Sequence, residues 1–299
     1  MQRSNATAVL AGLSSDRQPN SLRNILRFAR QKPLGAVAGI VILCLIFVAI
    51  FAPVLAPHDP NEVFGGQRLT PPGGEFPMGT DAVGRDVLSR IISGARISLW
   101  VGIVAVGIGT GFGALIGIVT GYYGGKTDAI IQRLMDMLMA FPALILALTM
   151  VAALGSGLTQ VMIAIGIVIV PGVSRIIRGA TLSVKSSQYI EAAQAMGAST
   201  LRIVLLHIFP NVTAPIIVIA TIGLGGAIIT EASLSFLGLG APPPNPSWGG
   251  MIASNRQFMT FAPWVVFYPG IAISLAVMGF NLLGDALRDV WDPRLRGSR

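Results

Sequence analysis

The chain has 299 residues, of which 11% are charged and 53% hydrophobic, with a formal net charge of +8. Soluble globular domains carry about 25% charged residues, so this composition, with a mean hydropathy of +0.72, excludes that class and describes a membrane protein. The positive charge does not indicate nucleic acid, because the basic residues stand at the ends of apolar runs instead of gathering with aromatic platforms on a polar surface.

Residues 1–20 show no periodicity and are expected to be disordered. Next, Leu22, Ile25, Leu26 and Ala29 fall on one helical face with Arg23, Arg27 and Arg30 off it, the pattern of a short helix lying in the membrane interface. Residues 1–33 thus form an N-terminal tail, and the first span follows over 34–56. It starts too far in, runs too long and lacks a small-x-small cleavage site, so it reads as an uncleaved anchor. Cys44, the single cysteine, lies inside this apolar run and excludes an intrachain disulfide.

Residues 57–96 form the first loop on the far side, in which Thr80 or Asp81 can cap an amphipathic helix presenting Val87, Leu88, Ile91, Ile92 and Ala95 to one side. The second span covers 97–121, where Ala105, Gly109, Gly113, Gly117 and Gly121 recur every four residues and so share one stripe. A neighbouring helix can approach such a stripe closely, within the chain or on a similar subunit. The segment TGYYGGKTD that follows resembles a phosphate-binding loop, but Thr120 stands where the leading glycine is required and no strand precedes it. ATP binding by this chain is rejected on that ground.

Spans three and four, 137–155 and 158–174, are separated by Gly155-Ser156-Gly157 alone and predict a tight helical hairpin. Arg133 and Asp136 are spaced for an ion pair at the inner end of span three. Pro142, Pro171 and Pro269 each remove a backbone hydrogen bond within a span, and the resulting breaks either line a translocation path or shape the bundle. Glu231 closes the apolar core of span five (212–230), near the far surface, where it either reaches water or faces a pathway or docked partner. A second far-side loop covers 235–263, span six 264–284, and a C-terminal tail 285–299.

The fold class is therefore all-α: a polytopic bundle of six spans whose core is 97–284. With six spans both termini share a side. The loops on that side hold 16 Lys and Arg against five on the other, which places both termini in the cytoplasm. Two histidines, His58 and His207, stand far apart with no catalytic or metal-ligand spacing around them, so no catalytic residue and no metal site are expected.

The cytoplasmic loop 175–211 is the most specific stretch. Ser187 is placed to cap a helix over 188–196, Glu191 suits the positive end of its dipole, and Gly197 suits its left-handed end. Tyr189, Ala192, Ala193 and Met196 form a slim face that fits a cleft on another protein, or packs on the chain's own bundle. Ser199 caps a second helix in which Leu201, Val204, Leu205 and Ile208 share a face and which Pro210 closes.

Glu191-Ala192-Ala193, Gly197 and Ile208-Phe209-Pro210 resemble the EAA loop of ABC importer permeases. MGTDAVGRDVLSRIISGARISL (78–99), GYYGGKTDAIIQRLMDMLMAFPALILAL (121–148), EASLSFLGLGAPPPNPSWGGMI (231–252) and NLLGDALRDVWDPRLRG (281–297) are similar to the second permease subunit of dipeptide, oligopeptide and nickel importers. Phe209 stands where that subfamily commonly has Leu. The resemblance implies a non-catalytic subunit of the bacterial inner membrane, passing peptides or similar small solutes. It implies as partners a homologous permease, two ABC ATPase subunits that bind ATP and Mg, and an extracytoplasmic solute-binding protein. Tyr189, Glu191, Ala192, Ala193, Met196, Gly197 and Ala198 become the residues that couple to the ATPase. A nickel importer is the alternative within the family. A self-sufficient transporter or channel is the alternative outside it, but the spans supply no central carboxylate.

Overall fold

A computed structural model describes residues 32–291. The expected interfacial helix around Leu22–Ala29 lies outside that range, as does most of the C-terminal tail. Among the described residues all regular structure is helical. α1 (Pro33–Ile50) is followed by one extra turn, α2 (Ala52–Leu55), then α3 (Val87–Tyr123), α4 (Gly125–Met139), α5 (Ala143–Leu154) and α6 (Leu158–Lys185). After α7 (Gln188–Ala195), α8 runs from Thr200 to Phe236, with one π-turn at Val204–Ile208. α9 (Trp248–Asn255) and α10 (Trp264–Trp291) complete the chain.

α1, α3, α6, α8 and α10 are each long and apolar enough to cross a membrane, whereas α4 and α5 qualify only together and are bent by 93° where they meet. The sixth span is thus broken at Pro142, where a break was expected, and the continuous span expected over 137–155 is corrected to two helices. Pro142 carries no N–H and disfavours helical geometry in the residue before it. Its own backbone, at φ −55° and ψ 130°, is extended. The 12 residues of α5 reach only about 18 Å at 1.5 Å each, short of a hydrocarbon core of roughly 30 Å. The hairpin into α6 is present, turned by Gly155 at φ +94° and Gly157 at φ +149°.

The most extensive helix packing among the described residues is between α3 and α6. A Cβ added at Gly109 would stand 2.5 Å from the Ile169 Cβ, and one at Gly113 2.7 Å from the Val173 Cβ. At Gly117 it would meet the Ser174 carbonyl at 2.6 Å, and at Gly121 the Thr181 Cβ at 2.8 Å. Gly166 reciprocates, its missing Cβ facing Ile108 at 2.8 Å. The glycine stripe thus faces a helix of the same chain. Lys185 finishes the seam by donating to the Tyr122 carbonyl at 2.7 Å with its ammonium over the Tyr122 ring.

Lys32 at the start of α1 pairs with Asp289 near the end of α10, so the two ends of the described chain share one face, called here the terminal face. The opposite, distal face is covered by residues 56–86 and 237–263. There Asp86, not Thr80 or Asp81, caps α3, accepting from the Leu88 and Ser89 N–H groups at 3.4 and 2.9 Å. Asp81 instead accepts from the N–H groups of Val83 and Arg85, which fixes the turn before the helix. The expected amphipathic surface helix is therefore the first part of α3, with Val87 and Ala95 buried in a cluster that includes Trp248. Arg90 reaches back to the Pro60 carbonyl at 2.7 Å, and Trp264 donates to the Thr80 carbonyl at 3.2 Å.

Filling the seam tests this packing. Gly113→Leu should lower unfolding stability in detergent by about 1–3 kcal/mol, the range for overpacked interiors. Gly111→Leu, where the added side chain meets open space, should leave the thermal midpoint within error of the unaltered chain.

Candidate functional site

α6 ends at Lys185, and two serines later α7 projects from the terminal face. Ser187 occupies the N-cap position with extended backbone, but its hydroxyl donates to the Val184 carbonyl at 2.5 Å instead of capping. The Ser187 carbonyl accepts the Ile190 N–H at 3.0 Å, and Glu191 lies in the first turn. At the other end the Gly197 N–H bonds the Gln194 carbonyl at 2.9 Å and the Ala198 N–H bonds the Ala193 carbonyl at 3.1 Å. This reciprocal pair needs a left-handed residue between its members, and Gly197 supplies it at φ +78°. Ser199 then caps α8, accepting the Arg202 N–H at 3.4 Å.

α7 has two faces. Ile190 is buried in an apolar cluster with Ile177, Ile203, Ile208 and Val212, and Ala193 is buried as well. Tyr189, Glu191, Ala192 and Met196 are exposed, Met196 by 82%. The slim face expected from Tyr189, Ala192, Ala193 and Met196 is therefore divided, because Ile190 takes the core position and carries Ala193, three residues on, to the same side. Ala193 belongs to the seat of the helix and not to its outer edge.

The second helix of the loop also departs from expectation. Pro210 does not close it; α8 continues to Phe236. Proline cannot donate to the Leu206 carbonyl, and the chain accommodates this with the π-turn, in which the Phe209 N–H reaches the Val204 carbonyl. Asn211 donates from its side chain to the His207 carbonyl at 2.6 Å. The inserted residue turns the register, so Ile203, Ile208 and Val212 face inward while Leu201 and Leu205, expected on the face of Ile208, are exposed.

Glu231 is fully buried at 0% exposure, accepting from Ser98 of α3 at 3.3 Å and from Ser235 at 2.7 Å. It reaches neither water nor an open pathway; it pins α8 to α3. Pro171 and Pro269 are buried inside α6 and α10, while Pro142 is exposed at the break between α4 and α5. Asp136 pairs with Arg175 of α6 rather than with Arg133. Sequence reasoning missed Ile190 as the seat of α7, although its position two residues into the helix and its bulk were visible. It also missed Asp128 and Gln132 as partners of α6, although the four-residue steps from Asp128 to Gln132 to Asp136 were a readable signal.

Comparison with known proteins adds to this geometry. Residues 113–297 match the family described as binding-protein-dependent transport system inner membrane component, and residues 21–72 match the N-terminal transmembrane domain of oligopeptide transport permease C. The chain is 44% identical to a dipeptide transport system permease protein of Alkalihalophilus pseudofirmus, over 92% of this chain and 90% of that protein. It is 45% identical to a glutathione transport system permease protein of Pectobacterium atrosepticum, over 90% of each. It is also 45% identical to a di/tripeptide transport system permease protein of Pseudomonas aeruginosa, over 91% of each.

Two substitutions test the loop and the buried carboxylate. Because a Cβ at Gly197 meets no neighbouring atom, Gly197→Ala is charged only with its left-handed backbone, about 1–2 kcal/mol. Amide exchange at residues 193–198 should accelerate about 5- to 30-fold with the rest of the bundle unchanged. Glu231→Leu should destabilise the protein by about 1–3 kcal/mol by leaving the Ser98 and Ser235 hydroxyls without their acceptor, and Glu231→Gln, which keeps an acceptor oxygen, should recover most of that loss in the same unfolding measurement.

Proposed function

The chain belongs to the family of binding-protein-dependent transport system inner membrane components, multi-pass proteins of the bacterial inner membrane, and we propose that α7 is the point at which ATP hydrolysis in separate subunits drives it. In this reading the protein is a non-catalytic permease subunit. It pairs with a homologous permease, two ATPases that bind ATP and Mg, and an extracytoplasmic protein that delivers the solute. The terminal face is cytoplasmic, in keeping with its excess of Lys and Arg.

One observation carries the reading: α7 is anchored by one face and bare on the other. Ile190 and Ala193 seat it in the core, while Glu191, Ala192 and Met196 stand clear of the bundle and the half-exposed Tyr189 accepts from the Asn211 side-chain amide of α8 at 3.3 Å. A helix gripped on its outer edge transmits force only if its inner edge is fixed, and the Ile190 seat supplies that condition. Gly197 and Ala198 close α7 by backbone bonds, so the grip ends at a defined corner before α8 begins. ATP-driven closure of the ATPases pulls α7, α6 and α8 follow, and the bundle alternates between outward and inward access.

The solute class follows from the relatives, which are permeases for dipeptides, di/tripeptides and glutathione. Small peptides are the proposed cargo. Their selection rests mainly on the delivering protein.

Reconstitution with the partner subunits tests the proposal. Met196→Glu, at an exposed site that packs on nothing within the chain, should cut ATP-dependent peptide uptake at least about fivefold, the lower end of measured coupling between sites, with normal insertion and folding. Gly197→Pro, which forbids φ +78°, should do the same. Wild-type uptake by both variants, or uptake by this chain with no ATPase present, contradicts the proposal.

A further inference from the structure

The element to which the coupling reading gives no task is α4. It has a hinge at each end. At its start Gly124 and Gly125 take φ +65° and +57°, and no atom lies within 4 Å of where either Cβ would be. At its end the chain breaks at Ala140–Pro142, where α4 and α5 meet at 93°. Between the hinges Met135 is its one buried residue.

What holds α4 in place is polar. Asp128 accepts two hydrogen bonds from the Arg178 guanidinium, from Nε and Nη2, both at 2.5 Å. One turn on, Gln132 Nε2 donates to the Thr120 and Ser174 hydroxyls at 3.1 and 3.3 Å. One turn further, Asp136 pairs with Arg175. Three rungs at 128, 132 and 136 therefore meet Ser174, Arg175 and Arg178 of α6, together with Thr120 of α3. The side chains of Asp136 and Arg175 are 47% and 53% exposed, so water can replace each partner when the pair parts. A seam of interlocked backbone, such as that between α3 and α6, offers no such exchange.

Arg178 lies about two turns before the end of α6, and α7 begins after Ser186 and Ser187. A pull on α7 therefore reaches the ladder through one short stretch of helix.

We propose that α4 is a latch: the Asp128–Arg178 and Asp136–Arg175 pairs hold it against α6, and movement of α7 releases it to swing about the Gly124–Gly125 and Ala140–Pro142 hinges while α5 stays packed on α6. The inference rests on the importer reading above. It assigns to Asp128, Gln132 and Asp136 a positioning role, acting through α6 and not on solute. Its two states differ in which polar groups face protein and which face water, and within α4 Met135 is the one buried residue that the change uncovers.

The test uses the assembled transporter with its ATPases in lipid discs, with Cys44 replaced by Ser. Spin labels go at Ile130→Cys on α4 and Leu182→Cys on α6, both exposed. The label-to-label distance should be bimodal, with the longer population changing on ATP addition. Asp128→Asn should raise that population about fivefold or more without ATP, and the exchanged pair Asp128→Arg with Arg178→Asp should return it to the original value. A merely structural pair does not link this distance to ATP. A distance that ATP leaves unchanged while uptake proceeds, or an exchanged pair that fails to restore the population in a folded complex, overturns the latch and leaves the importer reading standing. An assembled complex with no ATP-dependent uptake overturns both.

Discussion

The structure depends on the contact between α3 and α6 at backbone distance. Lipid tails are as apolar as leucine, so burial of apolar surface gives little drive for helices to associate in a bilayer; close van der Waals contact must supply it. Gly109, Gly113, Gly117 and Gly121 allow that contact by leaving no side chain where Ile169, Val173, Ser174, Ile177 and Thr181 sit. Every other element is placed relative to this pair. α5 packs on α6 through Ala147, Val151, Val161 and Ile165, and α8 is joined to α3 by the bonds of Glu231 to Ser98. The loop that carries α7 grows from the end of α6, so its base continues the most extensively packed helix pair.

Polar groups divide by where water can reach them. Glu231 is sealed between α3 and α8 with hydroxyls as partners, and removing an acceptor there strands donors in a dry interior. The distal layer works the same way, with Asp86 capping α3 and Arg90 tying the loops at Pro60 and Pro244 to its head. The pairs between α4 and α6 lie toward the terminal face and remain partly wet. The first two groups fix the fold. The third joins elements whose separation is compensated by hydration.

Much of this was legible in the sequence because it rests on periodicity. Apolar runs of spanning length, the four-residue glycine stripe and the glycine corner at Gly197 each state a geometric requirement that one residue type meets. What the stripe packs against was not legible, since a stripe specifies closeness and not a partner. Asp86 rather than Asp81 caps α3 because both carboxylates precede the same apolar run and the tight turn fixed by Asp81 decides between them. Pro142 broke a span while Pro171 and Pro269 did not; the latter sit in helices with long packed segments on both sides, whereas α4, before Pro142, buries Met135 alone. Ala193 lies on the inner face because the bulk of Ile190, three residues before it, decides which side of α7 is buried, and small residues alone do not. At Pro210 a π-turn replaced the expected stop, which no local pattern announces, since it is the buried positions of Ile203, Ile208 and Val212 that make continuing the helix favourable.

The account stands on α7 being held from inside by this chain and from outside by an ATPase. Cysteine scanning of residues 189–196 in cells, on a Cys44-free background with a short crosslinker to the partner ATPase, reads both faces at once. Crosslinks are predicted at Tyr189, Ala192 and Met196 and not at Ile190 or Ala193. Uniform crosslinking along the helix, or none at the three exposed positions, contradicts it.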